Sequence, residues 1–217
     1  MLFGCSEPSI VECNCNDLLL DDSGSWQLNN ENYTGICRTY FSDSIIESES
    51  QFDNGKINGH LISYYPNGVI EEDSEWKNGK RTGTTLNYYE SSEISIKTTG
   101  VSENKGKMTG YINYFYKSGV LSEEGQVIDD SKEGVWKVYH ENGKLMSYEN
   151  WKNNAMIDSS FGYFSNGNLK MKGFWVDGIQ EGKWMFYDSI SGEFDGYLIY
   201  LNGIPQFDQS KILNDNK

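Results

Sequence analysis

One spacing constrains this chain more than any other property. A start residue recurs at Gly35, Gly59, Gly83, Gly110, Gly134, Asp158 and Gly182, at intervals of 24, 24, 27, 24, 24 and 24 residues. Five residues after each start stands an aromatic: Tyr40, Tyr64, Tyr88, Phe115, Tyr139, Tyr163 and Tyr187. A fixed period carrying one residue type in one phase marks a repeat architecture, in which each unit buries its face only against its neighbours. Within the unit Gly59 to Lys80, two β-prone runs are joined by Pro66-Asn67-Gly68, and Asn78-Gly79 leads into the next unit. Asn-Gly between such runs signals a hairpin because both residues tolerate positive φ. It recurs at Asn54-Gly55, Asn142-Gly143, Asn166-Gly167 and Asn202-Gly203. Apolar residues do not recur at helical spacing, and glycine interrupts the windows a helix would need. The expectation is an all-β, elongated, single-layer antiparallel β-hairpin repeat array, roughly 65 Å long at the usual strand spacing.

Strict alternation along each strand sorts the side chains into two faces. Counted from the start residue, the fifth, eleventh (Ile46, Ile70, Ile94, Leu121, Leu145, Leu169) and seventeenth (Phe52, Trp76, Val127, Trp151, Trp175) positions form one set. This set is expected to be the spine of the array. Positions two and six carry Leu61, Tyr65, Tyr89, Tyr116, Trp136, His140, Phe164 and Trp184 and are expected to face the other way. So many rings on one face suggest an interface, since large exposed apolar patches usually mark one. Tyr65, Tyr89, Tyr116, Trp136, His140, Phe164 and Trp184 are therefore the candidate partner-binding residues. A carbohydrate surface built on the same rings is the weaker alternative, testable at Trp136 and Trp184. The third unit, with Ser91-Ser92 at its turn and a longer Thr98 to Gly106 connection, and the seventh, at Asp188 to Gly192, are expected to bulge.

The formal charge of −14 repels phosphate backbones and anionic lipid heads, so nucleic acid and acidic membranes are disfavoured as partners. A basic protein surface is the natural complement. Residues 1–33 form an acidic, cysteine-containing tether and cap, in which Trp26 and Asn29-Asn30 read as the second half of a repeat pairing with the first full unit. Residues 34–203 hold the seven hairpins, and residues 204–217 a terminal cap or tail.

All four cysteines, Cys5, Cys13, Cys15 and Cys37, lie within the first 37 residues. Leu2-Phe3-Gly4-Cys5 resembles a bacterial lipobox, which makes Cys5 the candidate lipidation site and the only expected membrane link. A disulfide from Cys37 to Cys13 or to Cys15 would clip the N-terminal segment onto the array in an oxidising compartment. Three cysteine ligands without a nearby histidine make a zinc site the poorer reading.

The tandem unit G-x4-Y-x2-N-G-x-[IL]-x5-W-x-N-G-K resembles the MORN-repeat family, in particular the bacterial variant of the YwqK-like antitoxin family and of Bacteroidota lipoproteins. The resemblance spans residues 34–203 and implies a MORN-type meander or solenoid that serves as a docking or scaffolding module. On that basis the chain is expected to bind a protein partner as an antitoxin-like or immunity-like factor or an adaptor. The alternative is an outer-membrane lipoprotein acting as an accessory subunit of an envelope complex. Location follows the same fork: cell envelope if Cys5 is lipidated, cytoplasm otherwise.

No Walker loop, HExxH, GxSxG, CxxC pair or EF-hand loop occurs. The two histidines, His60 and His140, are 80 residues apart. Acidic pairs such as Glu71-Glu72 and Asp129-Asp130 would point to opposite faces of a strand. No catalytic residue, metal site or cofactor is expected.

Overall fold

The computed structural model describes residues 11–42 and 44–206. It divides into two compact units, one ending at Gly106 and the other beginning at Lys107. Both are all-β, and among the described residues the one helical element is the 3-10 turn Cys15–Asp17.

The first unit contains β1 (Glu12–Asn14), β2 (Leu19–Leu20), β3 (Trp26–Leu28), β4 (Glu31–Asn32), β5 (Gly35–Ser42), β6 (Ile45–Asp53), β7 (Lys56–Tyr64), β8 (Ile70–Lys77), β9 (Lys80–Tyr88) and β10 (Ile94–Asn104). Strands β5 to β10 follow one another as an antiparallel meander. The cap differs from expectation. Strand β1 runs parallel to β5, and residues 19–32 form a separate small sheet, β2-β3-β4. Trp26 is therefore no repeat tryptophan: it is 36% exposed, and its backbone N–H bonds to Gly55 O at 2.8 Å. Asn29-Asn30 does make the predicted turn, with φ of 54° and 65°. Leu18, Tyr33, Cys37 and Phe52 form the buried cluster beneath the cap.

The second unit contains β11 (Lys107–Phe115), β12 (Leu121–Ile128), β13 (Ser131–Tyr139), β14 (Leu145–Lys152), β15 (Ala155–Tyr163), β16 (Leu169–Val176), β17 (Ile179–Tyr187), β18 (Phe194–Leu201) and β19 (Ile204–Gln206). Each strand pairs antiparallel with the next. Strand β19 caps β18; the rest of the expected tail lies outside the described residues.

Two kinds of turn alternate. Asn78-Gly79, Asn54-Gly55 and Asn202-Gly203 hold positive φ at both residues, as a two-residue type I′ hairpin requires. So do Asp129-Asp130, Asn153-Asn154 and Asp177-Gly178, which lack the Asn-Gly letters. Asp129-Asp130 is thus a turn and not a stretch of strand. At the other end of each hairpin, Asn67-Gly68, Asn142-Gly143 and Asn166-Gly167 sit in longer loops, where only the glycine has positive φ. There the Asn67 carboxamide oxygen accepts the Val69 N–H at 3.0 Å, the Asx geometry that closes such loops.

The repeating letters pair across the hairpin. Position five opposes position eleven: Tyr64 with Ile70, Tyr139 with Leu145, Tyr163 with Leu169. The start residue opposes position seventeen: Gly59 with Trp76, Gly134 with Trp151, Asp158 with Trp175.

Candidate functional site

The register decides which surface is available. Just after each longer loop the returning strand has one extra residue: Tyr139 pairs with Leu145 but Val138 with Ser147. The same shift occurs at Tyr64/Ile70, Phe115/Leu121 and Tyr163/Leu169. One inserted residue sends every following side chain to the opposite face. Position seventeen therefore shares a face with position two, contrary to the alternation expected from sequence. Trp175 (position seventeen) and Trp184 (position two) stand in edge contact, with ring centroids 5.2 Å apart.

That shared face is the packed one. In the first unit its central row runs Cys37, Ser50, Leu61, Ser74, Thr85, Thr98 as successive cross-strand neighbours. All but the partly exposed Leu61 are buried. In the second unit the row at the equivalent repeat positions holds Ile112, Gly125, Trp136, Ser160, Gly173 and Trp184, and both tryptophans are 1% exposed. A bulge opposite each glycine brings the indole over its backbone. Gly125 faces three residues, Gly134 to Trp136, and Gly173 faces Gly182 to Trp184. Gly134 and Gly182, at φ of 69° and 70°, supply the left-handed residue such a bulge needs, and Asp158 takes φ of 59° at the equivalent place.

Trp136 and Trp184, expected to be offered to a partner, are thus core residues, and they cannot act as sugar-stacking platforms. Five other candidates sit at the loop ends of the hairpins and are partly exposed. Three of them bond to the next hairpin's backbone. Tyr65 Oη donates to Tyr88 O at 2.8 Å, Tyr116 Oη donates to Tyr139 O at 2.7 Å, and His140 Nε2 lies 3.0 Å from Tyr163 O. Asn67, Asn142 and Asn166 repeat the device through their carboxamides, reaching Glu90 O, Ser165 O and Ser189 O. Phe164, without a polar tip, lies under the Lys170 ammonium at 5.8 Å. Tyr89 occupies the same place in the third hairpin. The bonds from Tyr65, Tyr116, His140 and the three asparagines tie consecutive hairpins together.

The opposite, open face carries what alternation from the start residue did not single out. On the second unit its central row is Asn113, Glu124, Lys137, Tyr148, Phe161, Lys172, Met185 and Tyr197, each the cross-strand partner of the next. Beside this row lie Tyr111, Val135, Phe174 and Ile199, between 39% and 46% exposed, and Tyr197 within it is 50% exposed. Glu124 is held by Tyr139 Oη at 2.6 Å, Tyr111 Oη at 3.0 Å and the Lys137 ammonium at 3.7 Å. The hydrogen bond from Tyr139, with those from Tyr111 and Lys137, keeps its carboxyl below the usual glutamate value despite partial burial. Burial, and then the Glu124 carboxylate, push the Tyr139 phenol well above its ordinary range.

On the first unit the face opposite its own packed row carries ion pairs. Arg38 bridges Glu12 and Glu49 at 2.8 and 2.7 Å, and His60 Nδ1 meets Asp73 Oδ1 at 2.6 Å. Arg81 pairs with Glu72 at 2.7 Å on the packed side. Among the described residues no three His, Cys, Asp or Glu side chains come together as a metal site, and no helix is long and apolar enough to cross a membrane.

Cys15 and Cys37 form the disulfide, with Cα atoms 4.9 Å apart, and Cys13 is a free thiol in register with Cys37. The bridge closes the cap onto β5, as one of the two expected pairings requires. Cys5 lies outside the described residues.

Among curated proteins no match to the chain is found. The family described as MORN repeat variant matches residues 57–78 and 132–153, one complete hairpin unit in each half. Those segments run from β7 to the β8 turn and from β13 to the β14 turn, with Tyr64 and Trp76, and Tyr139 and Trp151, in equivalent places. The chain is a repeat protein built from hairpins similar to MORN repeats, a repeat type that often mediates interactions.

Proposed function

We propose that this is a non-catalytic docking protein that binds a protein partner through the open face of its second unit. One observation carries the reading: every large apolar strand residue exposed among the described residues of the second unit lies on that face, while the tryptophans pack on the other. Sheets that leave one face to water alternate polar residues outward. Here Tyr111, Val135, Phe174, Tyr197 and Ile199 take those outward places. Exposed apolar surface of this kind, rich in aromatic rings, has the composition of an interface. Toxin neutralisation and service as an envelope adaptor would both use such a surface.

The test is affinity capture from the source cells on immobilised full-length chain. A protein retained by the wild type should be lost by the Phe174→Glu/Ile199→Glu variant and kept by Glu141→Gln at an exposed turn. Equal retention by all three would remove this face as the docking surface.

A further inference from the structure

The charge on the open face is sorted as well as its apolar groups. Arg38 and Lys137 each have a carboxylate within ion-pair distance. Lys172 on β16 and Lys183 on β17 have none among the described residues, in a chain whose net charge is −14. Their ammonium groups rest instead on aromatic rings: Lys172 lies 6.0 Å from the Tyr187 centroid and Lys183 lies 4.1 Å from that of Tyr197. The carboxylate nearest in register, Glu181 opposite Phe174, accepts the Asn202 backbone N–H at 2.8 Å. The two lysines border a shallow groove whose apolar walls are Phe161, Phe174 and Met185.

From this we infer that the groove takes an extended acidic segment of the partner, with carboxylates on either side of an apolar side chain. The inference rests on the docking reading above and adds the partner's chemistry. A ring beneath an ammonium orients it by cation–π attraction and leaves its N–H donors free for an anion. The two flanking carboxylates then make charge-assisted hydrogen bonds to the two lysines, while the apolar side chain between them covers Phe174 and Met185. The local sign is opposite to the basic partner that net charge alone suggests: long-range repulsion slows the approach of an acidic segment, and contact with two unneutralised cations favours it once seated.

Short synthetic peptides with a central Phe flanked by Glu, Gln or Lys, titrated against the full chain by fluorescence anisotropy, test this. The Glu peptide is expected to bind at least ~tenfold tighter than the Lys peptide and to weaken with added salt. The Lys172→Glu/Lys183→Glu variant should reverse the order. No saturable binding of the Glu peptide, equal binding of all three, or a preference for the Lys peptide overturns the inference. Partner capture that survives Lys172→Glu/Lys183→Glu but is lost in Phe174→Glu/Ile199→Glu removes the acidic preference and keeps the docking face. Capture indifferent to both removes the face itself.

Discussion

The indole of Trp184 lies directly on the backbone of Gly173: a Cβ added to that glycine would stand 2.1 Å from Cδ2 of the ring. Gly125 holds the same relation to Trp136, at 2.2 Å. Because each ring is 1% exposed and its bulge is framed by two strands, it has no free path to retreat. Gly173→Ala is therefore expected to destabilise the second unit by about 1–3 kcal/mol, the usual cost of overpacking. Urea unfolding followed by tryptophan fluorescence measures it; an unchanged midpoint would mean the indole moves freely.

The two tryptophans differ in their polar atom. Trp136 Nε1 donates to Gln126 O at 3.1 Å, whereas Trp184 Nε1 is buried without a partner among the described residues. Phenylalanine removes a hydrogen bond at the first site and an unsatisfied donor at the second. Trp136→Phe should cost about 1 kcal/mol more than Trp184→Phe, a difference readable from paired denaturation curves.

Glu124 makes the second unit sensitive to pH in a direction its environment sets. Its folded carboxyl titrates below the unfolded value of 4.5, so its stabilisation is complete above that value and fades as pH falls toward the folded one. Tyr139 behaves oppositely. Its raised phenol contributes below the ordinary value of 10.0 and loses that contribution as pH rises beyond it. Glu124→Gln should lower stability by about 1–2 kcal/mol at neutral pH, a deficit that shrinks in acid below the ordinary carboxyl range. Thermal melts of wild type and variant across acidic pH check both statements.

The Cys15–Cys37 bridge spans 22 residues and ties the cap to β5. Closing a loop of that size stabilises by roughly 3 kcal/mol. Reduction should therefore lower the stability of the first unit by about that amount and leave the second unit's transition in place. Disulfide mapping of the Cys15→Ser variant is expected to find Cys13 joined to Cys37, since those residues are register partners in the parallel pair β1/β5.

Much of the molecule was legible in the chain's letters, because hairpins are local objects. Asn78-Gly79 imposes its turn through the backbone preferences of two adjacent residues. All-β content and the positions of the Asn-Gly hairpin turns came from such short-range terms. The turns at Asp129-Asp130 and Asn153-Asn154 hid behind other letters, although Asp and Asn tolerate the same left-handed backbone.

What only tertiary structure decided was which side of the sheet is which. A single extra residue beside each longer loop, as at Met146 between Leu145 and Ser147, turns the rest of its strand over. That insertion is fixed by pairing with both neighbouring strands and by the Trp-on-Gly contacts they make possible, none of which are neighbours in sequence. Consequently Trp136 and Trp184 went inside, and Phe174, Tyr197 and Ile199 came to face solvent. The parallel β1 and the small β2-β3-β4 sheet have the same origin. Their place is set by burying Leu18 and Tyr33 against Cys37 and Phe52, a packing energy that belongs to the assembled unit and to no single stretch of it.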